Sequence, residues 1–441
     1  MNKPIAAWLA VLQILVLLHH GTAAETGCLQ ETTLVKPPPV LFYKKYRVNS
    51  TELNLFFPGL SFIQPMNLSV ARIAATDKKN TDKDNYDVTV IGADTGIGDF
   101  IFNDSTRSLK RFSRLFPEVE FIRPADSTID AHGNVYTGDT ASPGIHAFFF
   151  DGKKLQYKKK IMIHALVYSL YLQETNRIIF SDNAAGIIGC FDPYSEKLLW
   201  SFRAAGVRGV CALSRNDIYN RYRQDVIHAV FSNGTAVLSA DSGGKITDVK
   251  HFPGSDFYFL DMDYFNNIYL PDRKNHSIVK LSRKMEFITT FGSFGLSGIS
   301  FNGPVGIAIH RRGGMVFISE STGAHYFWIG TDIKDLNIKK EHDKITLVYK
   351  LTEPAYVAYF LSSLPASDET EFPGKTAEQN YTLIERKRYV HNDIQYSFTP
   401  PDTQNKYTYF IISAVPTYSS KLFHSRNVTI DLADMKIIQH P

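Results

Sequence analysis

Phe301-Asn-Gly-Pro-Val-Gly-Ile-Ala-Ile309 is followed by His310-Arg-Arg-Gly-Gly-Met-Val-Phe-Ile-Ser-Glu320. The segment holds two short apolar runs, a turn containing paired glycines, and an acid that closes the second run. β-Branched and aromatic residues fill both runs, and neither is long enough for a helix. Gly-Gly permits the tight reversal of an antiparallel pair. The segment therefore predicts strand, turn, strand.

Working outward, the second half of this unit recurs. A turn with Asn, Gly or Asp, a β run and a closing polar residue appear in Asp130-Ala-His-Gly-Asn-Val-Tyr-Thr-Gly-Asp139 and Glu174-Thr-Asn-Arg-Ile-Ile-Phe-Ser-Asp182. They appear again in Asp263-Tyr-Phe-Asn-Asn-Ile-Tyr-Leu-Pro-Asp272, and more weakly before Asp94 and Asn233. The closing residues Asp94, Asp139, Asp182, Asn233, Asp272 and Glu320 lie 39 to 51 residues apart. Six copies at about 45 residues match four-stranded propeller blades. A blade is apolar on both faces and buries them only between neighbours, so blades stack around an axis. The fold class is all-β, a six-bladed β-propeller with a strand-rich C-terminal region.

Phe291-Gly-Ser-Phe-Gly295, the Pro304-Val-Gly-Ile-Ala308 run and Val316-Phe-Ile-Ser-Glu320 resemble an NHL repeat. Leu260-Asp-Met-Asp263, Asp272-Arg-Lys-Asn275 and Ile278-Val-Lys-Leu281 are similar to that family's next portion. The likeness is good over residues 257–330 and fair over 121–150. It implies six blades and leaves the yellow/royal-jelly and strictosidine-synthase-like propellers as alternatives.

Residues 1–24 read as a secretory signal: Lys3, an apolar run from Ile5 to Leu18, then Thr22-Ala-Ala24 before the cut. That run is too short to span a bilayer, so a secreted, extracellular protein without a membrane anchor is expected. Residues 25–59 would lend a closing strand and 60–340 would supply the blades. Residues 341–441 either complete the last blade, the favoured reading, or form a small β domain; within them Ser367-Asp-Glu-Thr-Glu-Phe-Pro-Gly-Lys375 is a loop.

Asn-x-Ser/Thr sequons at Asn49, Asn67, Asn103, Asn233, Asn275, Asn380 and Asn427 agree with export. Each marks an expected surface loop and glycan site. Three cysteines in an oxidising compartment leave one odd. Cys190–Cys211 is the preferred disulfide, with Cys28 the remaining thiol or a link between chains.

Composition excludes some functions. Hydrophobic residues make up 44% and charged residues 21%, enough apolar surface for a large core. A formal net charge of +4 argues against a nucleic-acid partner. Lys153-Lys154 with Lys158-Lys-Lys160, and Arg386-Lys-Arg388, would suit a polyanion such as a sulfated glycan, or simply a solvated loop.

A ring of Asp94, Asp139, Asp182, Asp272 and Glu320 at a propeller mouth could hold Ca²⁺, a hard cation that takes several oxygens. Recurrence in nearly every blade favours the simpler reading, that each acid caps its own turn. Histidines such as His132, His146, His164, His228, His251 and His310 show no HxH or HxxxH pair for Zn²⁺. No GxSxG elbow is present. The expected function is extracellular binding of a protein or glycan through propeller loops. The alternative is a metal-dependent (Ca²⁺ or Zn²⁺) hydrolase or lyase at the central channel.

Overall fold

Each recurring run becomes the second strand of a sheet in the computed structural model. The structure describes residues 32–36, 47–74, 87–103, 109–173, 175–221, 223–295, 299–366, 380–390, 392–400, 407–418 and 425–438. The signal segment, Cys28 and the 367–375 loop lie outside the described residues.

The chain is nearly all β. Among the described residues six antiparallel sheets follow one another along the chain, and in the first five each strand lies beside the next in sequence. Their first strands are Pro65–Ala71, Pro124–Ile129, Ser169–Leu172, Val210–Leu213, Asp261–Met262 and Pro304–His310. Their second strands are Thr89–Asp94, Asn134–Asp139, Ile178–Asp182, Val226–Phe231, Ile268–Asp272 and Met315–Glu320. Every first strand packs against the first strands of the sheets before and after it, and the sixth packs against the first. The arrangement is propeller-like.

The junction between the sixth and first sheets depends on Gly306. A Cβ there would lie 2.6 Å from the Met66 carbonyl oxygen and 2.7 Å from Asn67 Cα, so only glycine lets the two backbones meet. The third strand of the sixth sheet, Gly323–Ile329, pairs with Leu34–Val35 and Arg47–Asn49 from the N-terminal side of the chain.

Apolar layers fill the spaces between sheets, and strand pleat decides which layer a residue enters. In Val210–Leu213, Val210 and Ala212 join the layer that holds Cys190. Cys211 and Leu213 join the layer on the other side, with Met262 and Leu270. The expected Cys190–Cys211 disulfide is therefore not formed: both are free, buried thiols on opposite faces of the fourth sheet.

From Ile333 onward two further sheets face each other. One holds Ile333–Glu341, Lys344–Leu351 and Asp393–Phe398. The other holds Tyr381–Tyr389, Ala355–Ser362, Tyr409–Pro416, Arg426–Asp431 and Lys436–Ile438. Alternate residues of Lys344–Leu351 (Ile345, Leu347, Tyr349 and Leu351) point inward against Val357, Tyr359, Phe410 and Ile412. This sandwich has its own core, crossed by a hydroxyl chain from Tyr349 to Tyr359 (2.7 Å) and Tyr389 (3.1 Å).

The sequons divide by burial. Asn233, Asn275 and Asn380 are exposed, while Asn49 and Asn103 are half-buried. Asn67 and Asn427 are corrections to the surface-loop expectation. Each sits within a strand, at 7% and 4% exposure, where a glycan has no room.

Candidate functional site

The recurrent acids act as clasps. Asp94 accepts backbone N–H bonds from Ile63, Gln64, Gly96 and Ile97 at 2.9–3.0 Å. Asp139 does the same with Ile122, Arg123, Ala141 and Ser142. Asp182 accepts from Leu166 and Ala185, and Asp272 from Asp256 and Asn275. Glu320 accepts from the Asn302 N–H and Thr322 hydroxyl and meets His325 Nε2 at 2.8 Å. Each acid thus ties the turn after its own strand to the connection that enters its sheet. Their oxygens point at these local donors rather than at one another. Among the described residues no three His, Cys, Asp or Glu side chains come together as a metal site.

The chemistry collects elsewhere. The clasp acids stand opposite the beginnings of the first strands, Asp94 across from Pro65, Asp139 from Pro124 and Glu320 from Pro304. Beyond those positions, toward the far ends of the same strands, a cavity of about 530 Å³ opens between sheets.

Its wall follows from an edge problem. A first strand is paired on one side only, and the N–H groups on its inner edge need acceptors. Side chains of neighbouring sheets supply them. Asn67 Oδ1 accepts from Ile307 N at 3.2 Å and its Nδ2 donates to Asp126 at 2.9 Å. Asp126 accepts from the Ser169 hydroxyl at 2.7 Å and Leu170 N at 2.9 Å. Ser169 in turn accepts from Val210 N at 3.2 Å, and Asp261 from Ile309 N at 2.7 Å. This polar belt joins the sixth sheet to the first, the first to the second, the second to the third, the third to the fourth, and the fifth to the sixth.

Two belt carboxyls are strongly shifted. Burial pushes Asp126 up to about 7, against the donors from Leu170, Ser169, Asn67 and Ser127. Burial likewise pushes Asp261 up to about 7, opposed by the N–H groups of Ile309 and Met262 and by the Arg311 charge. Asp126 is sealed in, whereas Asp261 lines the cavity.

Arg311 fixes the mouth. It donates to Asp217 Oδ2 at 2.7 Å, Asn266 Oδ1 at 2.7 Å and the Asp263 carbonyl at 3.1 Å, and lies 5.2 Å from the Tyr219 ring centre. One guanidinium thereby binds turns of the fourth and fifth sheets to the sixth. Arg72, His132, His310 and Arg312 complete the rim. A polar cavity of this size, with a carboxyl able to donate or accept near neutral pH, suits a hydrogen-bonding small molecule.

Sequence reasoning placed His132 and His310 at turns, which here border the cavity. It missed Asn67 as a belt residue, and also Asp126, Ser169, Asp217, Asp261 and Arg311. The available signal was an acid inside a strand-like run, as in Pro124-Ala-Asp-Ser-Thr-Ile129. His146 and His228 are core residues, pushed down to about 4 and about 3 chiefly by burial. Lys159 pairs with Glu196 on the neighbouring sheet, and Lys160 donates to Ser142. Arg386, Lys387 and Arg388 are exposed on an edge strand of the C-terminal sandwich.

No family model and no curated protein sequence matches the chain. Among solved structures it is similar to virginiamycin B lyase from Staphylococcus aureus at 14% identity, over 54% of this chain and 76% of that one, with a TM-score of 0.40. A streptogramin B lyase gives 12%, 62%, 95% and 0.41, and a putative gluconolactonase 10%, 67%, 97% and 0.44. At these values the likeness carries no argument about fold or activity.

Proposed function

We propose that this chain is a secreted glycoprotein whose six sheets close as a six-bladed β-propeller with NHL-like repeats. We propose further that it works as a binding module for a polyhydroxylated small molecule, a sugar or the end of a glycan, in the channel cavity. The observation that carries this reading is Asp261. Asp261 lines the cavity, and its carboxyl is pinned by Ile309 N at 2.7 Å and Met262 N at 2.8 Å behind a rim rich in donors. Paired donors and acceptors on a rigid wall are what hydroxyl recognition needs. Exposed sequons at Asn233, Asn275 and Asn380 support the extracellular setting.

The test is calorimetric titration of the full chain with a panel of mono- and disaccharides, for wild type and Asp261→Ala. Binding by one sugar class, weakened at least about tenfold by Asp261→Ala, supports the reading. No binding across the panel, or binding indifferent to Asp261, overturns it.

A second reading rests on the same carboxyl. A group titrating near pH 7 inside a cavity can act as a general acid or base, which fits the hydrolase or lyase alternative. Turnover of esters, lactones or glycosides that vanishes in Asp261→Asn would favour it. Ca²⁺ on the recurrent acids would have to displace the backbone donors that now occupy them.

A further inference from the structure

Where the fifth sheet meets the C-terminal sandwich, an amine and two carboxyls are sealed together. Lys280, on the strand Ser277–Leu281, is 0% exposed, as are Asp263 and Glu353. Lys280 Nζ contacts Glu353 Oε2, donates to the Thr352 carbonyl at 2.6 Å and lies 3.8 Å from Asp263 Oδ2. Glu353 Oε1 accepts the Tyr418 hydroxyl at 2.8 Å, and Asn267 Nδ2 lies 3.4 Å from Oε2. Asp263 is held by the N–H groups of Phe265 and Asn267 and by Asn267 Nδ2. The Tyr269 ring centre is 4.9 Å from Nζ.

We propose that Lys280 and Glu353 join in an intramolecular amide, a covalent cross-link between the fifth sheet and the C-terminal sandwich. Charges are costly in so dry a place, and the amide removes the Lys280 cation while the proton it releases neutralises the Asp263 carboxylate. Burial, with the Asp263 charge beside it, pushes Glu353 up to about 8 against the pull of Lys280 and Tyr418. Both influences favour the neutral, electrophilic acid over the carboxylate. In the step, Lys280 gives one ammonium proton to the Asp263 carboxylate, and the freed amine forms a bond to Glu353 Cδ. The Tyr418 hydroxyl and Asn267 amide donate to the oxygens that gain charge. The Cδ–hydroxyl bond breaks, Asp263 passes its proton to the departing hydroxyl, and one water leaves. The surplus proton on the new amide nitrogen returns to Asp263. Atoms and charge balance with no oxidant, metal or cofactor.

The experiment is peptide mapping of the full chain after denaturation and enzymatic deglycosylation. The expected result is one branched peptide containing Lys280 and Glu353, lighter than its two arms together by one water. Lys280→Arg keeps the cation but lacks the amine, and should give two linear peptides. Tyr418→Phe should lower the branched yield. Recovery of Lys280 and Glu353 from folded wild type only in separate linear peptides would overturn the proposal, whatever the variants do.

Discussion

Asp126 on the first strand of the second sheet accepts the backbone N–H of Leu170 on the first strand of the third at 2.9 Å. One carboxyl also holds Ser169, Ser127 and Asn67. It therefore completes the inner edge of one sheet and fixes the spacing to the next.

Asp126→Ala would leave four donors without their acceptor in a sealed place. A loss on the order of 3–5 kcal/mol is expected in urea unfolding. The pH dependence has a definite sign. The folded carboxyl titrates near 7 and the unfolded one near 3.8, so the folded state binds the proton more tightly between these values. Its contribution is complete below about pH 4, is lost as pH rises toward 7, and is flat above. Asp126→Asn should lower the midpoint throughout and remove that slope. An unchanged slope would assign it to other groups, Asp261 first.

Glu320 has the opposite sign. Burial alone would raise its carboxyl, but His325, Thr322 and the Asn302 N–H outweigh it and bring it down to about 2 from 4.5. This contribution is present above pH 4.5 and is lost as pH falls toward 2. Glu320→Gln should cost on the order of 2–3 kcal/mol at pH 7 and very little at pH 2. Thermal unfolding at the two pH values checks it.

Cys190 and Cys211 are separated by a whole sheet. Burial pushes the Cys190 thiol up to about 11 and Cys211 well above its ordinary value. Reductant should leave the unfolding midpoint unchanged. Alkylation of these two thiols should begin only once denaturant unfolds the chain. A disulfide-linked peptide containing both would contradict the structure.

Glycan occupancy should follow burial. In protein secreted from a eukaryotic host, Asn233, Asn275 and Asn380 are expected to carry glycans, and Asn67 and Asn427 none. Glycopeptide mapping reads this directly. Asn67→Gln should destabilise the chain by about 1–3 kcal/mol, because its amide bridges Asp126 and Ile307 in the belt.

Strand positions and their order are legible along the chain. In the run ending at Glu320, a β-branched stretch after Gly313-Gly314 favours a hairpin over other local structures, because turn chemistry and pleat are local. The acids that close such runs at Asp94 and Asp139 are legible for the same reason, since each binds donors only a turn or a connection away. Tertiary structure alone decided what meets across space. The parity of Cys211 in a four-residue strand sets its face, but only the packed neighbours show that Cys190 lies beyond the other. Asp126, Asp261 and Arg311 look ordinary in sequence. Apart from the adjacent Ser127 and Met262, their partners lie 43 to 94 residues away, and the dry setting that shifts the two carboxyls exists only once neighbouring sheets exclude water. Desolvation belongs to the assembled sheets rather than to any segment of the chain, so the site was invisible where the fold was plain.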